Sequence, residues 1–172
     1  MFVLPSASLI SIDAIKAVGL FDQRLSGYED DDLFTRMFSE GYRIIYVNVA
    51  ATKWRIYGSS TSFSPRMAKS RMIYFKKQLE LFPDDPIFGV LWSRDVIGPR
   101  FMGPAFGEFR KATKEGRDLS IVESSWAEVQ EIAPVLKSRT RRRMRLVAPI
   151  VRLLCRNHFR GPARALARYA IR

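Results

Sequence analysis

Gly27-Tyr28-Glu29-Asp30-Asp31-Asp32-Leu33-Phe34-Thr35-Arg36 is the stretch on which the fold class turns. Leu33, Phe34, Met37 and Phe38 recur at i, i+1, i+4 and i+5, one face of a helix. The spacing predicts a helix from about Asp30 to Glu40, ended by Gly41. Asp30, Asp31 and Asp32 fall in its first turn, where the helix dipole favours negative charge. Four acids in a row repel one another unless a helix terminus, a cation or a hydroxyl to be deprotonated compensates. Two roles fit such a run. It can cap a helix and keep it soluble, as acidic first turns commonly do, or a carboxylate at the helix start can face a cleft as a general base.

Outward from this helix the pattern reads as α/β. Phe2-Val3-Leu4 and Ser8-Leu9-Ile10-Ser11-Ile12 are short extended candidates. Asp13 is a candidate cap for a short helix from Ala14 to Val18 that stops at Gly19. Ile44-Ile45-Tyr46-Val47 reads as a buried strand, and Ala50 to Tyr57 as a second extended segment. Ser64-Pro65 opens a helix that runs to about Phe82. A further helix is expected from Ile87 to Ile97, broken at Gly98-Pro99, then others at Ala105–Glu115 and Ser120–Ile132. From Pro134 onward two basic helices are expected, parted at Gly161-Pro162.

Bulk properties narrow the class. With 172 residues, 47% of them hydrophobic, the chain can build one ordinary core and is not of disordered composition. One cysteine, Cys155, and one histidine, His158, give neither an internal disulfide nor a zinc ligand set, and point to a reducing compartment. Met1 to Pro5 lacks the basic region and apolar length of a signal peptide. No apolar run approaches the roughly 20 residues of a membrane-spanning helix. Charge is unevenly spread. No acid follows Glu131, twelve basic residues lie from Lys137 to Arg172, and residues 1–131 are balanced at 17 and 17. The tail therefore carries the whole +12 excess and calls for an anionic partner.

The order Val18-Gly19-Leu20-Phe21-Asp22, then Gly27-Tyr28-Glu29-Asp30-Asp31-Asp32-Leu33 with Arg36, then Gly41-Tyr42-Arg43-Ile44-Ile45-Tyr46-Val47, resembles the family 2 glycosyltransferases. These are bacterial cell-surface polysaccharide enzymes of the nucleotide-sugar-transferase (GT-A-like) fold. Trp54-Arg55-Ile56-Tyr57-Gly58-Ser59-Ser60 resembles a further segment of many members, with Tyr57 where they often have histidine. The resemblance covers about residues 1–82 and implies an α/β fold. It would comprise the acceptor-side part of a GT-A-like sheet over 1–82, a helical extension over 83–133 and an all-helical basic tail over 134–172.

What the resemblance implies about chemistry is inverting transfer of a sugar from a nucleotide-sugar donor to an acceptor hydroxyl in polysaccharide or glycolipid synthesis. The proton would be taken by Asp30, with Glu29 beside it, and Asp32 and Arg36 would support the loop as an i, i+4 pair. Trp54, Arg55, Tyr57 and Ser60 would contact acceptor or diphosphate. A divalent metal, Mn or Mg, is expected for the complete enzyme, but this chain offers no ligand pair for it: it shows no glycine-rich nucleotide-binding turn and no aspartate pair before Asp22. Tyr57 is a poor ligand for either ion. The nucleotide-binding half is thus expected on a partner chain, or the chain is a truncated product. The alternative function is a non-catalytic remnant that binds a membrane or a partner.

In the tail, arginines recur every fourth residue from Arg152 to Arg172, which drifts by about 40° per step on a helix and keeps neighbours on one face. With Arg141, Arg142, Arg143 and Arg145 they form a basic, partly amphipathic region suited to an anionic membrane surface. A solvated face that merely packs on the body is the plainer alternative. No nucleic-acid-binding motif accompanies the basic patch. The expected location is the cytoplasm, peripheral at the inner face of the cell membrane. Phe63, Tyr74, Phe75, Phe82, Phe88, Trp92 and Phe101 are expected mostly in core.

Overall fold

A computed structural model describes residues 4–53, 65–115 and 119–156. They fall into two compact units, Met1–Leu81 and Phe82–Arg172. The first unit holds α1 (Ile12–Ala17), α2 (Glu29–Ser39) and α3 (Pro65–Leu81). The second holds a π-helical turn (Ser93–Ile97) leading into α4 (Gly98–Glu115), then α5 (Leu119–Ile132), a 3-10 turn (Ala133–Val135) and α6 (Ser138–Arg156).

The architecture corrects the expected α/β class. The described residues contain no strand and no sheet, and both units are helical and bundle-like, so the expected GT-A-like sheet is absent among the described residues. β-type pairing among them is limited to a bridge between Asp85 and Val90. Ser8 to Ser11 is irregular, and Ile12 opens a helix instead of ending a strand. Ile44 to Val47 is irregular and exposed, with Ile45 at 87% and Tyr46 at 81% of full accessibility. The reason is physical. A strand is held by ladder bonds and a covered face, and apolar composition supplies neither without a partner strand. The run instead folds back locally, where Val49 N–H donates to the Val47 carbonyl at 2.8 Å. The described part of the second segment, residues 50–53, is likewise irregular and exposed.

In the first unit Ala14, Leu33, Phe34 and Met37 form a small core, with Ile10, Ile15 and Val18 against it. Phe38, expected on the apolar face, is half exposed. The cap of α1 is Ser11, whose hydroxyl accepts from Ala14 N–H at 3.4 Å, two residues earlier than the expected Asp13. Both short helices end in the same way. Gly19 and Gly41 have φ of 87° and 84°, which a side chain disfavours. Leu20 N–H then reaches the Ile15 carbonyl at 2.9 Å, and Tyr42 N–H the Met37 carbonyl at 3.0 Å, as in a Schellman cap. The α3 helix buries Ser70, Tyr74 and Phe75.

In the second unit Phe101, Ala105, Phe109 and Ala112 line one stripe of α4 and are buried, as are Trp126, Val129 and Ile132 of α5. The Phe109 and Trp126 rings lie 4.9 Å apart. The expected helix over Ile87–Ile97 begins only near Trp92, because residues 85–90 form a bridged turn. Nor does Gly98-Pro99 break it. Pro99 falls in the first turn of α4, where its missing N–H costs nothing, and the wider π turn precedes it.

Gly98 is required there for close packing. A Cβ at this position would lie 2.8 Å from the Ser93 carbonyl oxygen and 2.9 Å from Leu136 Cδ2. Gly98→Ala is expected to destabilise the second unit by about 1–3 kcal/mol through overpacking. A lowered thermal midpoint checks this, and an unchanged midpoint would show that the π turn relaxes at no cost.

Candidate functional site

The acidic helix start is the most built feature of the first unit. The chain enters α2 through two residues at positive φ, Gly27 at 112° and Tyr28 at 66°. A tyrosine in the left-handed region is uncommon, and such conformations persist where surroundings enforce them. Here the Tyr28 ring stacks on Tyr74 of α3, with centroids 5.4 Å apart. The Tyr74 hydroxyl lies 2.9 Å from the Thr35 hydroxyl and donates to the Asp31 carbonyl at 3.3 Å. Ser26 N–H donates to the Ser70 hydroxyl at 2.7 Å. The loop is thus pinned on α3 along its length.

Three of the four acids have separate fates. Asp32 is buried, at 1% exposure, and is held by Lys77 at 2.7 Å and by Arg36 at 2.9 Å. Arg36 also donates to the carbonyls of Val18 and Leu20, so one guanidinium ties α2 to the end of α1. Glu29 Oε2 accepts from Gly27 N–H at 2.5 Å, and Asp30 Oδ1 from Asp31 N–H at 2.8 Å. Glu29 and Asp30 are both half-buried, and neither pairs with a cation among the described residues. Glu29 and Asp30 thus sit in the first turn of α2 and accept from backbone N–H groups, while Asp32 pairs with Arg36 and Lys77.

Two partners were not singled out from sequence as part of this site. Lys77 bridges Asp32 and Asp22, the latter at 2.8 Å. Arg24 grips the same Asp22 at 2.6 Å. Hydrogen bonds from Arg24 first, then from Lys77, hold the Asp22 carboxyl well below the usual carboxylate range, against the opposing effect of burial. A carboxyl with a depressed folded-state pKa stabilises fully above its unfolded value near 4 and loses that contribution as pH falls toward the folded value. The first unit should therefore weaken below about pH 4, and Asp22→Asn should flatten that acid limb. Denaturation midpoints of both proteins between pH 6 and pH 2 test it, and parallel curves would refute it.

Trp54, Arg55, Tyr57 and Ser60 lie outside the described residues, as does the second basic helix expected after Gly161. Arg142, Arg143 and Arg145 are exposed on α6, Arg141 is half-buried and donates to the Pro134 carbonyl at 3.3 Å, and Arg152 and Arg156 lie on the backbone of the same helix. Trp126, Val129, Ala133, Met144 and Arg145 are among the residues around an open cavity of about 240 Å³, smaller than most ligand pockets. Among the described residues no group of three or more His, Cys, Asp or Glu side chains gathers as a metal site. No protein-family model, no curated protein and no solved structure matches the chain.

Proposed function

We propose that the chain carries the acceptor side of an inverting glycosyl transfer, with Asp30 as general base and Glu29 beside it. Asp30 takes the proton of an acceptor hydroxyl while that oxygen attacks the anomeric carbon. The bond from that carbon to the nucleoside diphosphate breaks in the same step, so no covalent enzyme intermediate is needed. One observation carries this reading. In a run of four acids the fold consumes Asp32, yet it presents Asp30 and Glu29 on a strained, pinned turn with no cation against them among the described residues. The order of motifs from Val18 to Val47 supports the same reading.

The described residues do not fit a divalent metal, since Asp22 and Asp32 are held by Arg24, Arg36 and Lys77 and no third donor joins them. Charge on the leaving diphosphate is therefore assigned to a partner that holds the nucleotide sugar. No helix among the described residues is long and apolar enough to cross a membrane. The exposed arginines of α6 support a peripheral place at an anionic inner leaflet, where a lipid-linked acceptor is at hand. The test is the glycan output of cells carrying Asp30→Asn in place of the natural chain.

A second function, a non-catalytic module that binds a partner, is favoured by the exposed run Ile45, Tyr46, Val47 and Val49, since apolar side chains in sequence seldom stay uncovered. It predicts that Asp30→Asn leaves glycan output unchanged.

A further inference from the structure

The turn after Phe82 displays two large apolar side chains on a rigid base. Ile87 is 91% exposed and Phe88 80%. Four sets of bonds fix the turn that carries them. Asp85 and Val90 exchange backbone hydrogen bonds of 2.7 and 2.8 Å. The Asp85 carboxylate accepts from the N–H groups of Ile87 and Phe88 at 3.1 and 3.2 Å. Gly89, at φ 70°, closes the turn on the Pro86 carbonyl at 3.3 Å. Beneath it, Asp84 clasps Ser93 through both N–H and hydroxyl, at 2.8 and 2.5 Å. Exposed apolar side chains usually collapse against the body, and here the backbone bonds hold them out. Trp92, half exposed and 6.3 Å from Phe82, stands at the base of the turn.

We propose that Ile87 and Phe88 form a wedge that inserts into the interface of an anionic lipid bilayer. Charge supports this occupant. Residues 82–172 hold 18 of the 29 basic residues and 9 of the 17 acidic ones, a net +9. The basic helix starts against the segment that follows the turn: Lys137, immediately before α6, pairs with Asp95 at 3.4 Å in the π-helical turn after Trp92. Arginine and lysine draw the unit to anionic headgroups, and two apolar side chains then gain by burial about 5–10 Å below them. Trp92 at the base suits the headgroup level, where an amphipathic ring sits best. A protein partner fits less well, because two exposed side chains fall short of the roughly 800 Å² per partner of a standard interface.

Membrane insertion by this turn deepens the peripheral placement above but does not need glycosyl transfer, since vesicle binding requires no donor sugar. The full chain is mixed with vesicles of equal phosphatidylcholine and phosphatidylglycerol and sedimented. Ile87→Asp combined with Phe88→Asp should lower the partition coefficient at least about tenfold, with unchanged circular dichroism because both positions are exposed. Independently, a nitrobenzoxadiazole label on Phe88→Cys, in a Cys155→Ser background, should shift to the blue on vesicles. Binding that survives the double substitution, with no label shift, would leave a salt-sensitive arginine attachment and overturn the wedge. Failure of the natural chain to bind these vesicles would overturn it too, as would a double variant that breaks self-association and not vesicle binding.

Discussion

Asp32→Ala should cost the first unit about 3 kcal/mol or more, while Asp30→Ala, two residues away in the same acidic run, should cost less than about 1 kcal/mol. The difference follows from surroundings and not from residue type. Asp32 is at 1% exposure and receives Lys77 and Arg36, whose side chains are 22% and 19% exposed. Its removal leaves two partly buried cations short of a counter-charge, and it unties α2 from α3 at one point. Arg36 keeps the Val18 and Leu20 carbonyls, and Lys77 keeps Asp22, which bounds the loss. Asp30 holds no cation among the described residues, so its removal forfeits one local bond to Asp31 N–H. Amide exchange in α2 and α3 reads this unit directly: protection should fall about a hundredfold in Asp32→Ala and within about fivefold in Asp30→Ala. Similar losses in both variants would mean that the run acts as a shared charge cluster. A further check is Lys77→Met in the Asp32→Ala background, where the two effects should be less than additive because the residues share one network.

Sequence made some of this visible, and the division has physical causes. The α2 helix was legible because its periodicity, acidic start and terminal glycine all point to the same element. Its exit was legible for the same reason as that of α1, since Gly19 and Gly41 each sit where a left-handed residue ends a helix. The described segments that read as strands mislead because β-branched and aromatic residues mark a segment that suits a pleated surface without showing that a neighbouring strand exists. Ile44 to Val47 has that composition and no ladder among the described residues. Asp84-Asp85-Pro86 carries the signature of a helix start, but Asp85 spends its carboxylate on the N–H groups of Ile87 and Phe88, and a turn forms in place of a helix. The Gly98-Pro99 pair reads as a break, although a proline in a first turn is no obstacle. At the candidate site the paired use of Asp32 and Arg36 was legible from i, i+4 spacing. Lys77 was not, because it lies 55 residues from Asp22 and nothing local marks the pairing.

Asp30→Asn is expected to lower glycosyl transfer by about a hundredfold to ten-thousandfold while the protein stays folded, the range associated with losing a positioned acid or base. The amide keeps the shape of the side chain and its ability to accept from Asp31 N–H, now at 2.8 Å, but it cannot carry a proton away. The substitution therefore separates chemistry from architecture, which Ala would confound. Asp13→Asn, an exposed acid in the first turn of α1, is the control for a charge change of the same size and should leave transfer within about twofold. Measured as surface glycan in cells that carry each variant in place of the natural chain, the two outcomes part cleanly. Loss in Asp30→Asn with Asp13→Asn intact makes Asp30 the base. Equal glycan in both would remove the catalytic assignment and leave the exposed Ile45 to Val49 run, and with it partner binding, as the function that the first unit supports. Loss only in Glu29→Gln would move the proton to the neighbouring carboxylate. Glu29 is anchored to Gly27 N–H at 2.5 Å and sits on the same strained turn, so the geometry permits that exchange and the pair of substitutions decides it.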